Sequence, residues 1–265
     1  MDSLGDRMKS YYENAYRIHI TRRTPAILRI DGKAFHTFTK GFDRPYDMIF
    51  KHTMWQTAKY LCENIQNTRI AYVQSDEISI LLIDYNKFTT SAWFDGNIQK
   101  MVSVSASMAT MAFNRFFREE TESTFRSLKF SSEDMLEEKR FNLYRKKFNS
   151  AMFDSRVFNL PESEVCNYFI WRQQDATRNS IETLGRCHFS DKELFGVNCS
   201  QIQDKLMTEK GVNWNDCPVF YKRGMCVIRK ENEDTGHSEW MEDLEIPVFS
   251  QDREYIEKHL EVEEK

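Results

Sequence analysis

Two short apolar runs that end in acidic residues dominate the pattern of hydrophobic and polar positions. The first is Ile27-Leu28-Arg29-Ile30-Asp31-Gly32. The second is Ile70-Ala71-Tyr72-Val73-Gln74-Ser75-Asp76-Glu77, with Ile78-Ser79-Ile80-Leu81-Leu82 directly after it. Apolar runs of this length bounded by turn residues read as buried strands. The second and third make a hairpin that turns at Gln74-Ser75-Asp76-Glu77. Between the first strand and the hairpin, Phe50, Met54, Ala58, Leu61 and Ile65 fall on one helical face. A second helix is predicted over about residues 97–119, with Ile98, Met101, Ser105, Met108, Ala112 and Phe116 on one face. Its small residues (Ser103, Ser105, Ala106, Ser107, Ala109) let it lie close to a sheet. Phe153-Asp154-Ser155-Arg156-Val157-Phe158 reads as a further strand. The order strand, helix, strand, strand, helix, strand is that of a ferredoxin-like split unit. The predicted class is therefore α+β, an antiparallel sheet with helices on one face.

The flanks add helices and one more hairpin. Residues 2–20 read as a helix that ends before Pro25. Pro161 opens another, with Glu162 and Glu164 in the first turn, where acidic residues suit the helix dipole. Ser190 with Glu193 and Ser200 with Gln203 read as capping boxes, and Gly211 terminates the second of those helices. A hairpin is predicted from Val219 to Ile228, turning at Arg223-Gly224.

Length and charge narrow the organisation. At 265 residues and 40% hydrophobic content, the chain is long enough for one large core. The net charge of -4 hides an asymmetry: residues 230–265 hold 13 acidic and 4 basic side chains, a local -9, which leaves +5 on residues 1–229. The expected organisation is one catalytic domain over 1–229 and an acidic C-terminal tail over 230–265. A mildly basic body is compatible with a nucleic-acid partner. The six cysteines (62, 166, 187, 199, 217 and 226) show neither a C-x-x-C pair nor zinc spacing, and read as reduced thiols. Met1-Asp2-Ser3-Leu4-Gly5-Asp6-Arg7 leads into no apolar segment, and the longest aliphatic run, Ile80-Leu81-Leu82-Ile83, is too short for a bilayer. A cytoplasmic protein without a membrane partner is expected.

The candidate chemistry lies at the two acidic strand ends. Side-by-side strands would bring Asp31 and Asp76 within reach of one divalent cation, and Mg2+ suits a site of carboxylates plus substrate phosphates. The same residues also read as turn aspartates, since Asp-Gly and Ser-Asp are common turn dipeptides. A ferredoxin-like sheet with carboxylates on its first strand and central hairpin is also the layout of a polymerase palm. Nucleotidyl transfer there uses one metal to activate a hydroxyl and another to neutralise the leaving phosphate. The turn from Gly32 to His36 would offer backbone N–H groups to phosphate oxygens, and Lys33 and Arg44 would supply countercharge. Glu77 also reads as a solvated turn acid, and His36 as a packed histidine.

These residues form an ordered pattern. It runs Arg29-Ile30-Asp31-Gly32-Lys33-Ala34-Phe35-His36, Pro45-Tyr46-Asp47, Ala71-Tyr72-Val73-Gln74-Ser75-Asp76-Glu77, Phe153-Asp154-Ser155-Arg156-Val157 and Trp171-Arg172-Gln173-Gln174-Asp175. Lys205-Leu206, Gly211-Val212-Asn213-Trp214 and Tyr221-Lys222-Arg223-Gly224 complete it. From about residue 25 to 229 the chain resembles the tRNA-His guanylyltransferase family, 3'-to-5' nucleotide polymerases that extend tRNA 5' ends. The resemblance implies that Asp31, the Gly32 carbonyl and Asp76 hold two Mg2+ ions, with Glu77 in support. It also implies that the triphosphate of ATP or another NTP such as GTP lies against Gly32, Lys33, Ala34, Phe35, His36 and Ser75, with Asp47 and Lys100 nearby. Arg156, Lys222 and Arg223 are candidate contacts to tRNA phosphates, and a homotetramer is implied.

The chain departs from the family pattern in three places. Where members that add guanosine to tRNA-His carry His-x-Asn-Asn, it reads Thr177-Arg178-Asn179-Ser180. Asp95-Gly96-Asn97 replaces a basic stretch before Lys100, and Lys-Pro-Asn-Asp becomes Arg44-Pro45-Tyr46-Asp47. These changes resemble the guanylyltransferase-like branch of bacteria, archaea and some phages, and imply template-directed repair of truncated tRNA 5' ends. The rival readings are guanosine addition to tRNA-His, a palm-type nucleotide cyclase and a non-catalytic RNA-binding protein.

Overall fold

The computed structural model describes residues 3–126, 135–231 and 236–262. Its centre is a six-stranded sheet of β1 (Ala26–Gly32), β2 (Thr68–Gln74), β3 (Glu77–Leu82), β4 (Phe153–Asn159), β5 (Met225–Glu231) and β6 (Ser238–Asp243). The spatial order is β4-β1-β3-β2-β5-β6, and every neighbouring pair is antiparallel. The first four strands, in the order 4-1-3-2, are the expected ferredoxin-like unit. Helix α1 (Met48–Asn64) links β1 to β2, and α2 (Ile98–Phe125) lies between β3 and β4.

Alternation along the strands splits the core in two. Leu28, Ile30, Val73, Ile78 and Ile80 face α1 and α2, where they meet Met54, Leu61, Phe113 and Phe117. Ile27, Ile70, Tyr72 and Leu81 face the other way and meet Val165, Cys166 and Phe169. Those three come from a 27-residue helix (Glu162–His188) that follows Pro161 as predicted. A third shorter helix, α3 (Met135–Arg145), sits against α2 and completes the helical layer, so the long helix after β4 is α4. Strand β3 is covered on both faces and buried at all six positions.

Several sequence expectations shift. The buried stripe of α2 is Met101, Ser105, Ala109, Ala112, Phe113, Phe117, Thr121 and Phe125, so Phe117 points inward where Phe116 was expected. Residues 4–16 are helical but irregular, an α-turn, a π-turn and a 3₁₀-turn in series with no buried side chain. Ser190 and Glu193 form their capping box, whereas the next helix is boxed by Asn198 and Gln201, two residues earlier than Ser200 and Gln203. There is no hairpin at Arg223-Gly224. Val219–Arg223 is a helical turn opened by Pro218, and Gly224 at φ +81° redirects the chain into β5. A Cβ on Gly224 would lie 2.5 Å from the Val73 carbonyl oxygen. The hairpin partner of β5 is β6, and β6 belongs to the stretch expected as a tail. Ile246, Phe249, Ile256 and Leu260 are buried against Tyr72, Val165 and Phe169, so the acidic C-terminal stretch is part of the same core.

Candidate active site

The carboxylates converge because of strand register. Asp31 is the cross-strand partner of Glu77 on β3 and of Asp154 on β4. The β2–β3 hairpin closes through Ser75 and Asp76, with Ser75 in the left-handed region at φ 49°. The Gly32 amide donates to the Asp76 carbonyl over 3.2 Å, which ties the end of β1 to this turn. Gly32 cannot carry a side chain here: a Cβ would stand 2.3 Å from the Phe35 ring. The end of β1 and the hairpin turn thus present Asp31, Gly32 and Asp76 together.

Neither aspartate is comfortable as an anion. Burial pushes the Asp76 carboxyl up to about 6, opposed by its main-chain hydrogen bond and reinforced by the charge of Asp31. Burial also raises Asp31, and Glu77 adds to it, while Arg29 pulls the other way. Asp76 makes no ion pair with Arg or Lys among the described residues, and the nearest cations to Asp31 are Arg29 at 3.7 Å and Arg156 at 4.0 Å. Two desolvated, mutually repelling carboxylates beside a backbone carbonyl are a donor set that a hard divalent cation fits. No group of three or more His, Cys, Asp or Glu side chains suited to a metal occurs among the described residues. A cation at Asp31 and Asp76 would therefore draw further oxygens from the Gly32 carbonyl and from substrate.

Glu77 has a different environment from the expected metal support. It is 5% exposed and clamped by Arg172, whose Nε and Nη2 each donate over 2.8 Å to its two oxygens. Arg29 Nη2 approaches Glu77 Oε2 at 2.6 Å, and the Ser79 hydroxyl, itself hydrogen-bonded to Tyr168, lies 3.3 Å from Oε1. Arg172 also reaches Asp175 over 3.0 Å. Successive strand residues point to opposite faces, and Glu77 faces α4. Its charge is already matched by two guanidinium groups.

A cleft of about 920 Å³ opens beside the hairpin turn. It brings together His36, Arg44, Asp47 and Ser75 of the sequence-predicted residues, and adds Lys51, Gln74 and Asn179. Asp47 is committed to structure: its Oδ1 caps α1 at the Phe50 amide (2.9 Å), and its Oδ2 accepts from the Asp43 amide and the Tyr144 hydroxyl. Phe35 is also structural, 3% exposed and packed among Phe38, Phe50, Phe113 and Phe153. The amides of Gly32 and Lys33 are paired with the carbonyls of Asp76 and Met152, whereas those of Ala34, Phe35 and His36 meet no main-chain carbonyl among the described residues. The Lys33 side chain is exposed. Lys100 is exposed on the first turn of α2 and does not line the cleft.

The three candidate RNA contacts separate. Arg156 stays beside Asp31 and pairs with Asp154 over 2.9 Å. Lys222 and Arg223 donate to the carbonyls of Asn215 and Ile246 and hold the polypeptide around the short helix. Lys51 was missed in the sequence because a lysine on an amphipathic helix reads as a solvated face. It lines the cleft, burial lowers its ammonium to about 8, and the charge of Asp76 opposes that shift.

A family profile described as tRNAHis guanylyltransferase (Thg1) matches residues 5–161. The chain belongs to the tRNA-His guanylyltransferase family. It is thus a member of a nucleotidyltransferase family that acts on tRNA. Two solved structures of bacterial Thg1-like proteins, one in complex with ATP and one with GTP, share 47% and 44% identity with it. They superpose with TM-scores of 0.83 and 0.79, and each comparison covers 98% of this chain and 100% of the other. The tRNA(His) guanylyltransferase of Saccharomyces cerevisiae is 28% identical over 218 residues, 77% of this chain and 82% of the yeast protein. An uncharacterised protein of Acanthamoeba polyphaga mimivirus is 26% identical over 246 residues, 87% of this chain and 78% of its own length. No helix among the described residues is long and apolar enough to cross a membrane.

Proposed function

We propose that the protein adds nucleotides in the 3'-to-5' direction to the 5' end of truncated tRNA, directed by the opposite strand. The observation that carries this reading is the pairing of Asp31 and Asp76 at adjoining chain ends, both raised by burial, beside a cleft that reaches Ser75. Asp31, Asp76 and the Gly32 carbonyl would hold Mg2+, which supplies activation of the attacking hydroxyl and neutralisation of the leaving phosphate. The chain's own part is positional. Asp31 and Asp76 fix where the reacting phosphate sits. The amides of Ala34 to His36, which meet no main-chain carbonyl among the described residues, would with Ser75 meet phosphate oxygens, and the Glu77–Arg172–Arg29 cluster holds β1 and β3 in register.

Two transfers follow in sequence. The 5'-monophosphate attacks the α-phosphorus of ATP, pyrophosphate leaves, and the RNA carries an adenylylated end. The 3'-hydroxyl of an NTP paired to the template then attacks the 5'-phosphorus, AMP leaves, and the RNA is one nucleotide longer. A triphosphorylated end skips the first transfer. Base choice comes from pairing, so the protein reads RNA shape and phosphate. A bacterial neighbour bound to ATP and another bound to GTP support nucleotide use by this cleft. The departure at Ser180 supports repair over guanosine addition to tRNA-His. Its hydroxyl donates to the Thr177 and Lys222 carbonyls (2.8 and 3.3 Å) and accepts from the Trp214 indole (3.0 Å), so it is consumed inside the fold. A cytoplasmic homotetramer completes the proposal.

The test uses intact tRNA-His and a non-His tRNA lacking its first nucleotide, each labelled at the 5'-monophosphate, with Mg2+, ATP and single NTPs. Template-matched extension of the truncated tRNA is expected, and its loss in both Asp31→Ala and Asp76→Ala. Guanosine addition to intact tRNA-His alone would make the protein a guanylyltransferase of fixed product, and a cyclic product from NTP alone would make it a cyclase.

A further inference from the structure

Lys51, Lys33 and Arg44 are cations near the site whose side chains meet no acceptor among the described residues, and of the three Lys51 is the one set on the first turn of α1 and acted on by the charge of Asp76. Arg29 and Arg172 are held by Glu77, Arg156 by Asp154, Arg140 by Asp43, and Lys147 by the Thr37 carbonyl. No carboxylate lies within ion-pair distance of Lys51 among the described residues, and the acid that acts on its charge is Asp76. Its backbone is fixed on the first turn of α1, where its amide donates to the Asp47 carbonyl over 3.0 Å. Its side chain lines the cleft with His36, Gln74 and Ser75, where the cleft reaches the hairpin turn.

A partly buried ammonium requires an anion, and Asp76 cannot serve it in the working protein. A divalent cation on Asp31 and Asp76 would take up the Asp76 charge and set a second positive charge near the ammonium. Stability of that arrangement demands negative charge between them. The cleft provides space for it, and Ser75 and His36 lie on the same wall.

We infer that Lys51 is a contact for the polyphosphate chain of the bound nucleotide, delivered from the first turn of α1 into the cleft that reaches Ser75. The inference rests on the nucleotide reading of the cleft above. It assigns the residue to the triphosphate and not to the base or to the 5' end of the RNA, because Lys51 lies on the cleft wall and Arg156 already stands beside Asp31 on the open strand edge.

The experiment measures equilibrium binding of AMP, ADP, ATP and inorganic tripolyphosphate to the full chain, with Mg2+ and with EDTA, for wild type, Lys51→Met and Lys51→Arg. Lys51→Met keeps the aliphatic stem, and Lys51→Gln serves as a second neutral variant should Met fail to fold. Loss of one charge-assisted phosphate contact predicts an affinity drop of about tenfold or more for ATP and tripolyphosphate. AMP should change by less than about twofold on the same reasoning, and Lys51→Arg should restore most of the loss. Equal losses for AMP and ATP would mean a merely structural lysine and overturn the proposal. A parallel arm compares 5'-phosphorylated with 5'-hydroxyl RNA; a defect confined to that pair, with ATP binding intact, transfers Lys51 to the RNA end and overturns it too. If wild type binds no nucleotide, the cleft reading fails along with this one. If wild type binds ATP and both neutral variants bind it equally well, this proposal alone fails.

Discussion

Replacing Asp76 by Asn should stabilise the metal-free protein while abolishing its activity. The Asp76 carboxyl is raised from 3.8 to about 6, chiefly by burial. Between those values the folded state binds a proton that the unfolded state has released, so stability falls as pH rises from roughly 4 to 6 and stays low above that. A shift of about two pKa units corresponds to about 3 kcal/mol. Asn has the same shape and can retain the neutral hydrogen bonds without the buried charge. In a chain of this size, that difference moves the melting temperature by roughly 5–10 °C. The assay is thermal unfolding in EDTA at pH 4, 5, 6 and 7.5 for both proteins. Their curves should meet near pH 4 and separate through pH 6, with Asp76→Asn the more stable. Mg2+ should then raise the wild-type melting temperature and leave that of Asp76→Asn nearly unchanged, since binding to the folded state alone stabilises it. Superimposable pH profiles would refute the claim that Asp76 is a desolvated anion held ready for a cation.

Four further outcomes follow from the packing. Arg172→Met leaves Glu77 buried with one guanidinium fewer, and should cost about 3 kcal/mol or more in urea denaturation; combining it with Glu77→Gln should cost less than the sum of the single changes. Gly32→Ala drives a methyl to 2.3 Å from the Phe35 ring, and should lower stability by about 2 kcal/mol or more and disturb activity together. Ser180→Ala leaves the Trp214 indole N–H without its acceptor, and should cost about 1–2 kcal/mol with single-turnover chemistry preserved. Ending the chain at residue 231 removes β6 together with Ile246, Phe249, Ile256 and Leu260, and should give insoluble protein, read by fractionation after expression.

The split βαββαβ unit was legible because its central strands β1, β3 and β2 are buried on both faces or nearly so. Continuous runs such as Ile78 to Leu82 leave periodicity little room for error. The α2 stripe was misplaced by one position because Phe116 and Phe117 are adjacent, and composition cannot choose between two neighbouring aromatics. The C-terminal stretch was misread by averaging: a local charge of -9 concealed four apolar side chains whose partners lie on β2 and α4. Val219-Phe220-Tyr221 has the β-branched and aromatic character of a strand, yet Pro218 accepts from the amides of Tyr221 and Lys222 and sets a helical turn. For α2 and the C-terminal stretch a long-range partner decided what local preference left open.

At the site, the same distinction separates Asp31 and Asp76 from Glu77. The two aspartates occupy a strand end and a turn, positions where a carboxylate has little structural work, and residue type and position together support the proposed chemistry. Glu77 follows Asp76 directly and was grouped with it, but Asp76 lies in the turn whereas Glu77 opens β3 and faces α4. There it meets Arg172, which is 95 residues away, and no local pattern announces such a pair. The consequence is a division of labour among three acids that the sequence presents as equals. A carboxylate matched by two guanidinium groups has no charge to spare for a metal, whereas one raised to about 6 gains most by acquiring one. Metal affinity should therefore collapse in Asp31→Asn and Asp76→Asn and persist in Glu77→Gln, whose defect should appear first in stability.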